Sequence, residues 1–325
     1  GGGAIAGLYG WRLQQAGVLT SVVCRSNYQA VRDSGYKVSS DKWGTGVFKP
    51  EKVYRSITEA VEDGDESDYV VLSTKAYPNI EDGSSLIAPV VKNRACSIVL
   101  MQNGVGIEDP YQKRFPNNPI ISAVMFVDVT QPEHGVIEHG LHSENVFGLF
   151  PAPPAASTNA VESLAQLASL WKRGDVPCTT TEDIQSYRWH KVVWNASFNP
   201  MSVISGGNAK NAMVSHPYYR ELVLKVMEEV WGAAKAVCGP QFPPPGVPQS
   251  SKAMFDLTAN NPREVYPSML LDYQNGRRME HEVILKNTIE RAKEHGFEMP
   301  RVETIYGNLL MLEELMFKNR NSNQQ

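Results

Sequence analysis

The sequence predicts an α/β domain built on a largely parallel sheet over residues 1–180, followed by an all-helical domain over residues 181–325. Two observations predict this. Up to about Cys178, short runs rich in β-branched and apolar residues alternate with helical patterns, the order of βαβ units. Beyond that point apolar residues recur at three- and four-residue intervals over long stretches, and the strand signal fades. A chain of 325 residues is long enough to give each part its own core.

In chain order, GGGAIA reads as a turn and LYGWRLQQAG as the first helix, with strands at TSVVCR, DYVVLST, CSIVLMQ, NPIISAVMFVDV, VIEH and NVFGLF. Helices follow at DIQSYRWHKVVWNASF, YYRELVLKVMEEVWGAAKAV, MEHEVILKNTIERAKEHG and RVETIYGNLLMLEELMFK. FPPPGVPQSS reads as a Pro-rich loop, and NRNSNQQ as a frayed tail. A 42% hydrophobic fraction and a net charge of −4 give no general attraction to nucleic acid or an anionic membrane, so any phosphate must be met by local charge. Cys24, Cys96, Cys178 and Cys238 lack zinc or disulfide-framework spacing and read as reduced thiols. No apolar run approaches the ~20 residues of a membrane span, and no signal peptide is visible. The expectation is a cytoplasmic protein, with a homodimer left open.

Gly1, Gly3 and Ala6 fit G-x-G-x-x-G/A ahead of a helix and a strand. The first glycine permits a tight turn, the second a close backbone approach to pyrophosphate, and the small third residue helix–strand packing. The helix N-terminus then faces the phosphates, which makes Gly1, Gly3, Ala4, Ile5 and Ala6 cofactor-binding candidates of a Rossmann-type domain. A plain tight turn is the alternative. The same fold calls for an apolar strand ahead of Gly1, which the sequence does not contain. Where NAD-binding proteins place an acid at the end of the second strand, this chain has Arg25, flanked by Cys24 and Ser26. A guanidinium grips a 2′-phosphate, so the expectation is NADP(H), against a solvated surface arginine. Ser73-Thr74-Lys75 and Gln102-Asn103-Gly104 fall at later strand ends, where open α/β sheets bind ligands, although each also reads as a loop cap or turn.

Lys191, Asn195 and Asn199 are spaced i, i+4, i+8 and share one face of a helix, within ~80° of one another. Their neighbours Val192, Val193, Trp194, Ala196 and Phe198 are apolar, so the helix is no ordinary solvated one. Pro200 is expected to disturb it close to Asn199. The stripe suits a substrate site, with lysine as proton source and amides gripping oxygens. A buried structural network is the competing account. Further on, Ser268 reads either as a helix cap or as a ligand residue, and Glu280 either as a first-turn glutamate or as a site acid.

Taken in order, GGGAIAGLYG, STKAY, QNGVG, HKVVWNASFNP, PSMLLD…E and EHGFEMP closely resemble the ketopantoate reductase family, or 2-dehydropantoate 2-reductases, over nearly the whole chain. Two departures are Ala6 in place of the usual third glycine, and an insecure match of Asn208 to a further family asparagine. The resemblance implies Lys191 as proton donor and Glu280 as the acid beside it and the nicotinamide. It implies Asn195, Asn199, Ser268 and Asn208 as substrate-binding residues, Asn103 as touching cofactor and substrate, and Lys75 as a cofactor contact. The implied reaction is NADPH-dependent reduction of 2-dehydropantoate to pantoate, in pantothenate biosynthesis, without a metal. Reduction of another branched 2-oxo acid such as 2-oxoisovalerate, or a non-catalytic NADP sensor, are the rivals. His190 and His281 flank the key residues and read as packing or solvent groups.

Overall fold

The computed structural model describes residues 1–92, 95–152 and 157–322. They fall into two compact units. Unit 1 comprises Gly1–Ala76, Ile80–Gln102 and Ile107–Ile184, and unit 2 comprises Tyr77–Asn79, Asn103–Gly106 and Gln185–Gln325. Two short segments of the first half therefore belong with the helices.

Unit 1 carries the strands β1 (Ser21–Val23), β2 (Tyr36–Ser40), β3 (Gly44–Phe48), β4 (Lys52–Tyr54), β5 (Tyr69–Leu72), β6 (Ser97–Leu100), β7 (Ile120–Glu133), β8 (Val136–Phe150) and β9 (Cys178–Thr181). Its helices are α1 (Ala4–Gln15), α2 (Tyr28–Ser34), α3 (Ile57–Glu62), α4 (Gly83–Val91), α5 (Asp109–Arg114) and α6 (Thr158–Arg173). A seven-stranded sheet runs β3-β2-β8-β7-β6-β5 with β9 beside β8, while β1 and β4 form a separate parallel pair. The β5–β6, β6–β7, β2–β8 and β8–β9 pairings are parallel, whereas β2–β3 and β7–β8 are antiparallel. β1 and β5 each keep an unpaired edge, and Gly1 and Gly2 lie between their carboxyl ends: a Cβ on Gly1 would meet Thr74, and one on Gly2 would meet Cys24.

The core of unit 1 packs Leu8 and Trp11 of α1 and Trp171 of α6 against Tyr36, Phe48, Ile121, Ile137 and Phe147 of the sheet. Gly10 makes that approach feasible, because a Cβ there would lie 2.3 Å from the Phe48 ring. VIEH and NVFGLF, read as separate strands, are the two ends of the 15-residue β8, which pairs with β2 at one end and β9 at the other. The sequence reading missed β2, β3, β4 and β9, which are short and polar or glycine-bearing.

Unit 2 holds α7 (Ile184–Ile204, entered from the last residue of unit 1), α8 (Lys210–Ser215), α9 (Pro217–Cys238), α10 (Ser251–Asn260), α11 (Ser268–Gln274), α12 (Asn287–Glu294) and α13 (Pro300–Ser322), with a π-helical stretch over Glu282–Lys286. Contrary to expectation, α7 runs through Pro200 to Ile204; a proline costs a helix one hydrogen bond, and the buried packing of Phe198, Met201 and Val203 holds the turn. α13 likewise continues into NRNSNQQ as far as Ser322, and the last three residues of that segment lie outside the described ones. Buried Glu229 on α9 caps α13, accepting the Arg301 and Val302 amides at 2.9 Å each. No helix among the described residues is long and apolar enough to cross a membrane.

Candidate active site

In unit 1 the glycine turn ends in α1 with Gly3 as its N-cap, no side-chain cap and no acid in the first turn. The first amides of a helix have no partner within it, so Ala4, Ile5 and Ala6 present N–H groups and the positive end of the helix dipole. A Cβ on Gly3 would meet nothing within 4 Å, which leaves this end open to a phosphate. The turn is held from both sides. Asn27 Nδ2 donates to Gly2 O, and Ser73 Oγ donates to Gly1 O at 3.4 Å. Gln102 Nε2 donates to Thr74 O at 3.0 Å and so steadies the β5 end.

Arg25 lies exposed just beyond β1 and forms no ion pair among the described residues. Because Val23 pairs with Tyr54 in the parallel β1–β4 ladder, Arg55 emerges beside it at the same carboxyl end, its guanidinium 4.5 Å from the Tyr28 ring centroid. The sequence reading missed Arg55 because it missed β4, and passed over Asn27 as a neighbour of Arg25. Lys75 is exposed in the loop after β5.

In unit 2 the polar stripe is realised on α7. Lys191 is half-buried, and Asn195 and Asn199 are buried. Asn199 Oδ1 accepts the Met269 amide at 3.2 Å and the Ser268 hydroxyl at 3.5 Å, which joins α7 to the start of α11. Asn199 Nδ2 is buried with no partner among the described residues. A buried amide donor left unpaired costs about 1–3 kcal/mol, so it is a place where a ligand oxygen would bind favourably. Ser268 is the first residue of α11 and makes no capping bond, so the capping alternative does not describe it.

Burial, with a further push from Arg188 and against the opposing pull of Glu280, lowers the Lys191 pKa from 10.5 to about 8. Glu280 is buried, two residues before the π-helical stretch. Asn103 is half-buried within a segment bound to the helices of unit 2: Val105 N donates to Val283 O at 3.0 Å, Asn287 Nδ2 to Val105 O at 2.8 Å and Arg188 Nη1 to Gly104 O at 2.9 Å. Gly104 has φ +92°, and a Cβ there would lie 2.3 Å from Val283 O, so glycine is required. Arg188 escaped the sequence reading because nothing in the pattern marks it as buried.

Asn208 is exposed and donates to Ser205 O at 2.8 Å within its own turn. His190 packs between Trp231 and Phe242 with Nε2 against Pro248 O, and burial lowers its pKa to about 4. His281 is buried against Glu313 at 3.2 Å. Both histidines are packed away, as expected of neighbours on a helix. No group of three or more His, Cys, Asp or Glu among the described residues could hold a metal.

Residues 1–152 match the family model described as ketopantoate reductase PanE/ApbA, and residues 183–313 match its C-terminal counterpart. A curated 2-dehydropantoate 2-reductase of Nostoc sp. is 28% identical over 313 residues, 96% of this chain and 93% of that protein. The crystal structure of 2-dehydropantoate 2-reductase from Methylococcus capsulatus is 31% identical with a TM-score of 0.81, over 97% of this chain and 95% of that one. A ternary structure of D-mandelate dehydrogenase with NADH and anilino(oxo)acetate is 17% identical with a TM-score of 0.80, over 97% of both chains, a likeness of fold.

Proposed function

We propose, from the premise that the chain belongs to the ketopantoate reductase family and is thus an NAD(P)-dependent oxidoreductase, that it reduces 2-dehydropantoate to pantoate with NADPH. The observation that carries this reading is the α7 stripe: an ammonium with a lowered pKa beside a buried carboxylate, in line with an amide donor that has no partner among the described residues.

The turn and helix start at Gly1, Gly3, Ala4, Ile5 and Ala6 would hold the pyrophosphate, Arg25 the 2′-phosphate, and Lys75, Asn103 and Glu280 further parts of the nucleotide. Bound NADPH supplies the hydride received by C2 of the 2-oxo acid. Lys191 Nζ donates its proton to the substrate's carbonyl oxygen. A donor with a pKa near the working pH serves best as a general acid, and a value of about 8 meets that condition. Glu280 keeps the ammonium populated against the cost of burial. Asn199 Nδ2, Asn195 and Ser268 Oγ hydrogen-bond the substrate's oxygens, with Asn103 reaching substrate as well as cofactor. Cys24, Cys96, Cys178 and Cys238 are thiols rather than disulfides, which suits a reducing compartment such as the cytosol.

Turnover of 2-dehydropantoate, 2-oxoisovalerate and unbranched 2-oxo acids, each with NADPH and NADH and followed by nicotinamide absorbance, tests the reading. The expected result is highest kcat/KM for 2-dehydropantoate with NADPH. A higher value for another 2-oxo acid would move the assignment to that substrate, and no turnover with any would overturn it.

A further inference from the structure

Arg188 is a buried arginine on α7, 2% exposed, one turn before Lys191. Side chains three apart on a helix are neighbours, with Cβ atoms about 5–6 Å apart. Placing two cations so close inside a protein is unfavourable, and at a site that only had to be stable an apolar residue would serve α7 better. The guanidinium also has a structural task, because its Nη1 donates to Gly104 O at 2.9 Å. That carbonyl follows Asn103 in the chain, and Asn287 and Val283 hold the next residue, Val105.

We propose that Arg188 is a positioning and charge-setting residue of the active site: through Gly104 O it fixes the backbone that carries Asn103, and its permanent charge acts on the Lys191 ammonium one turn further along α7. The inference rests on the proposed reductase chemistry for its kinetic consequences, but not for the charge relationship itself. An arginine stays protonated at every working pH, so the charge it supplies is constant, whereas a lysine in its place would itself titrate. The charged groups identified as acting on Lys191 are Arg188 from α7 and Glu280 from the segment before the π-helical stretch, with opposite effects. His190, the residue just before Lys191 on α7, is turned into the Trp231–Phe242 cluster and is held neutral by burial. Arg188 thus offsets Glu280. With Glu280 alone, Lys191 would hold its proton more tightly and give it up less readily.

Three variants of the full-length protein separate the two roles. Arg188→Gln keeps an N–H donor for Gly104 O and removes the charge. Arg188→Lys keeps a charge. Asn287→Ala loosens the 103–106 segment without changing charge. The Lys191 titration is read by NMR of lysine labelled with ¹³C at Cε, its signal assigned by loss in Lys191→Arg, in parallel with the pH profile of kcat and with KM. Thermal unfolding establishes that each variant is folded. In Arg188→Gln the Lys191 titration should move to higher pH by roughly 0.5–1 unit, with the alkaline fall of kcat moving alongside it. Asn287→Ala should leave the titration in place, and both Asn287→Ala and Arg188→Lys should raise KM for the 2-oxo acid about three- to tenfold.

An unmoved Lys191 signal in Arg188→Gln overturns the charge-setting role, and an unchanged KM in both Arg188→Lys and Asn287→Ala overturns the positioning role. If the wild-type protein reduced no 2-oxo acid, the reductase reading and the positioning role, stated for that reaction, would both fall. The NMR arm would still decide the charge relationship.

Discussion

In the proposed reaction Lys191 is asked to do two things that oppose each other, remain buried enough to protonate a substrate oxygen and remain charged enough to have a proton to give. Its pKa of about 8 is where burial and Arg188 on one side and Glu280 on the other leave it. General acid catalysis contributes roughly 10²–10⁴-fold, so Lys191→Ala should lower kcat by about that factor while NADPH still binds. Because the ammonium is the active form, kcat for reduction should be level below about pH 7 and fall as pH rises through about 8. Glu280 raises the Lys191 pKa, so Glu280→Gln should bring that fall to lower pH. Near wild-type kcat in Lys191→Ala would remove the mechanism, and an unshifted profile in Glu280→Gln would remove the pairing.

The same shift is a statement about stability: as for a salt-bridged carboxylate, the native pKa is depressed and stability rises with pH, but for a lysine the charged form is the penalised one. The unfolded chain binds the Lys191 proton up to about 10.5 and the folded chain only up to about 8. Between those values the unfolded state holds more protons, so this residue makes the protein more stable as pH rises; below them it carries the full penalty, on the order of 3 kcal/mol. Lys191→Met should therefore raise Tm at pH 7 while abolishing turnover, and the gain should shrink above pH 8 and vanish near pH 10.5. Calorimetry across that range checks it, and a Tm at pH 7 below the wild type would show that Lys191 stabilises the fold.

At the scale of elements, α7 carries both the proposed chemistry and part of the construction, and its two asparagines divide these tasks. Asn199 Oδ1 holds the Met269 amide and so the start of α11, whereas Asn195 makes no side-chain hydrogen bond among the described residues. Losing the acceptor for a buried amide costs about 1–3 kcal/mol, so Asn199→Ala should lower Tm by a few degrees, and Asn195→Ala should not. Both should weaken 2-oxo acid binding in calorimetry more than NADPH binding. Loss of stability in both with unchanged substrate affinity would favour the purely structural network. The stripe was legible in the sequence because three polar residues at a four-residue interval amid apolar ones need no tertiary information. The long-range partners were not: Met269 meets the stripe, and Arg188 and Asn287 meet the 103–106 segment, only through folding, at separations no periodicity encodes. Long strongly periodic elements such as α9 and α13 were read well. Short strands such as β2 and β4 were not, because their three to five residues are stabilised by neighbours rather than by composition.

At the scale of the whole molecule, each unit has a core of its own, and the proposed chemistry divides along the same line, nucleotide phosphates to unit 1 and the α7 stripe to unit 2. The sequence shows a change of period near Cys178, but nothing in it sets Tyr77–Asn79 and Asn103–Gly106 with unit 2, since loops carry no period. The nucleotide preference therefore depends on unit 1, and on a small part of it. Beyond β1 there is a guanidinium where a carboxylate would select for a ribose hydroxyl, with a second guanidinium, Arg55, just past the carboxyl end of the paired β4. A charge-assisted contact to a 2′-phosphate is worth about 1.5–3 kcal/mol, so Arg25→Ala should weaken NADPH binding about tenfold or more and leave NADH binding nearly unchanged. Arg55→Ala should act in the same direction and more weakly, as its charge is shared with the Tyr28 ring. The interaction is between exposed charges, so the NADPH preference of the wild type should also decline as salt rises, while that of Arg25→Ala stays flat. Dissociation constants from nicotinamide fluorescence with both nucleotides, at low and high ionic strength, read all of these at once. Equal losses for NADPH and NADH in Arg25→Ala would mean that the arginine supports the glycine turn rather than reading the 2′-phosphate.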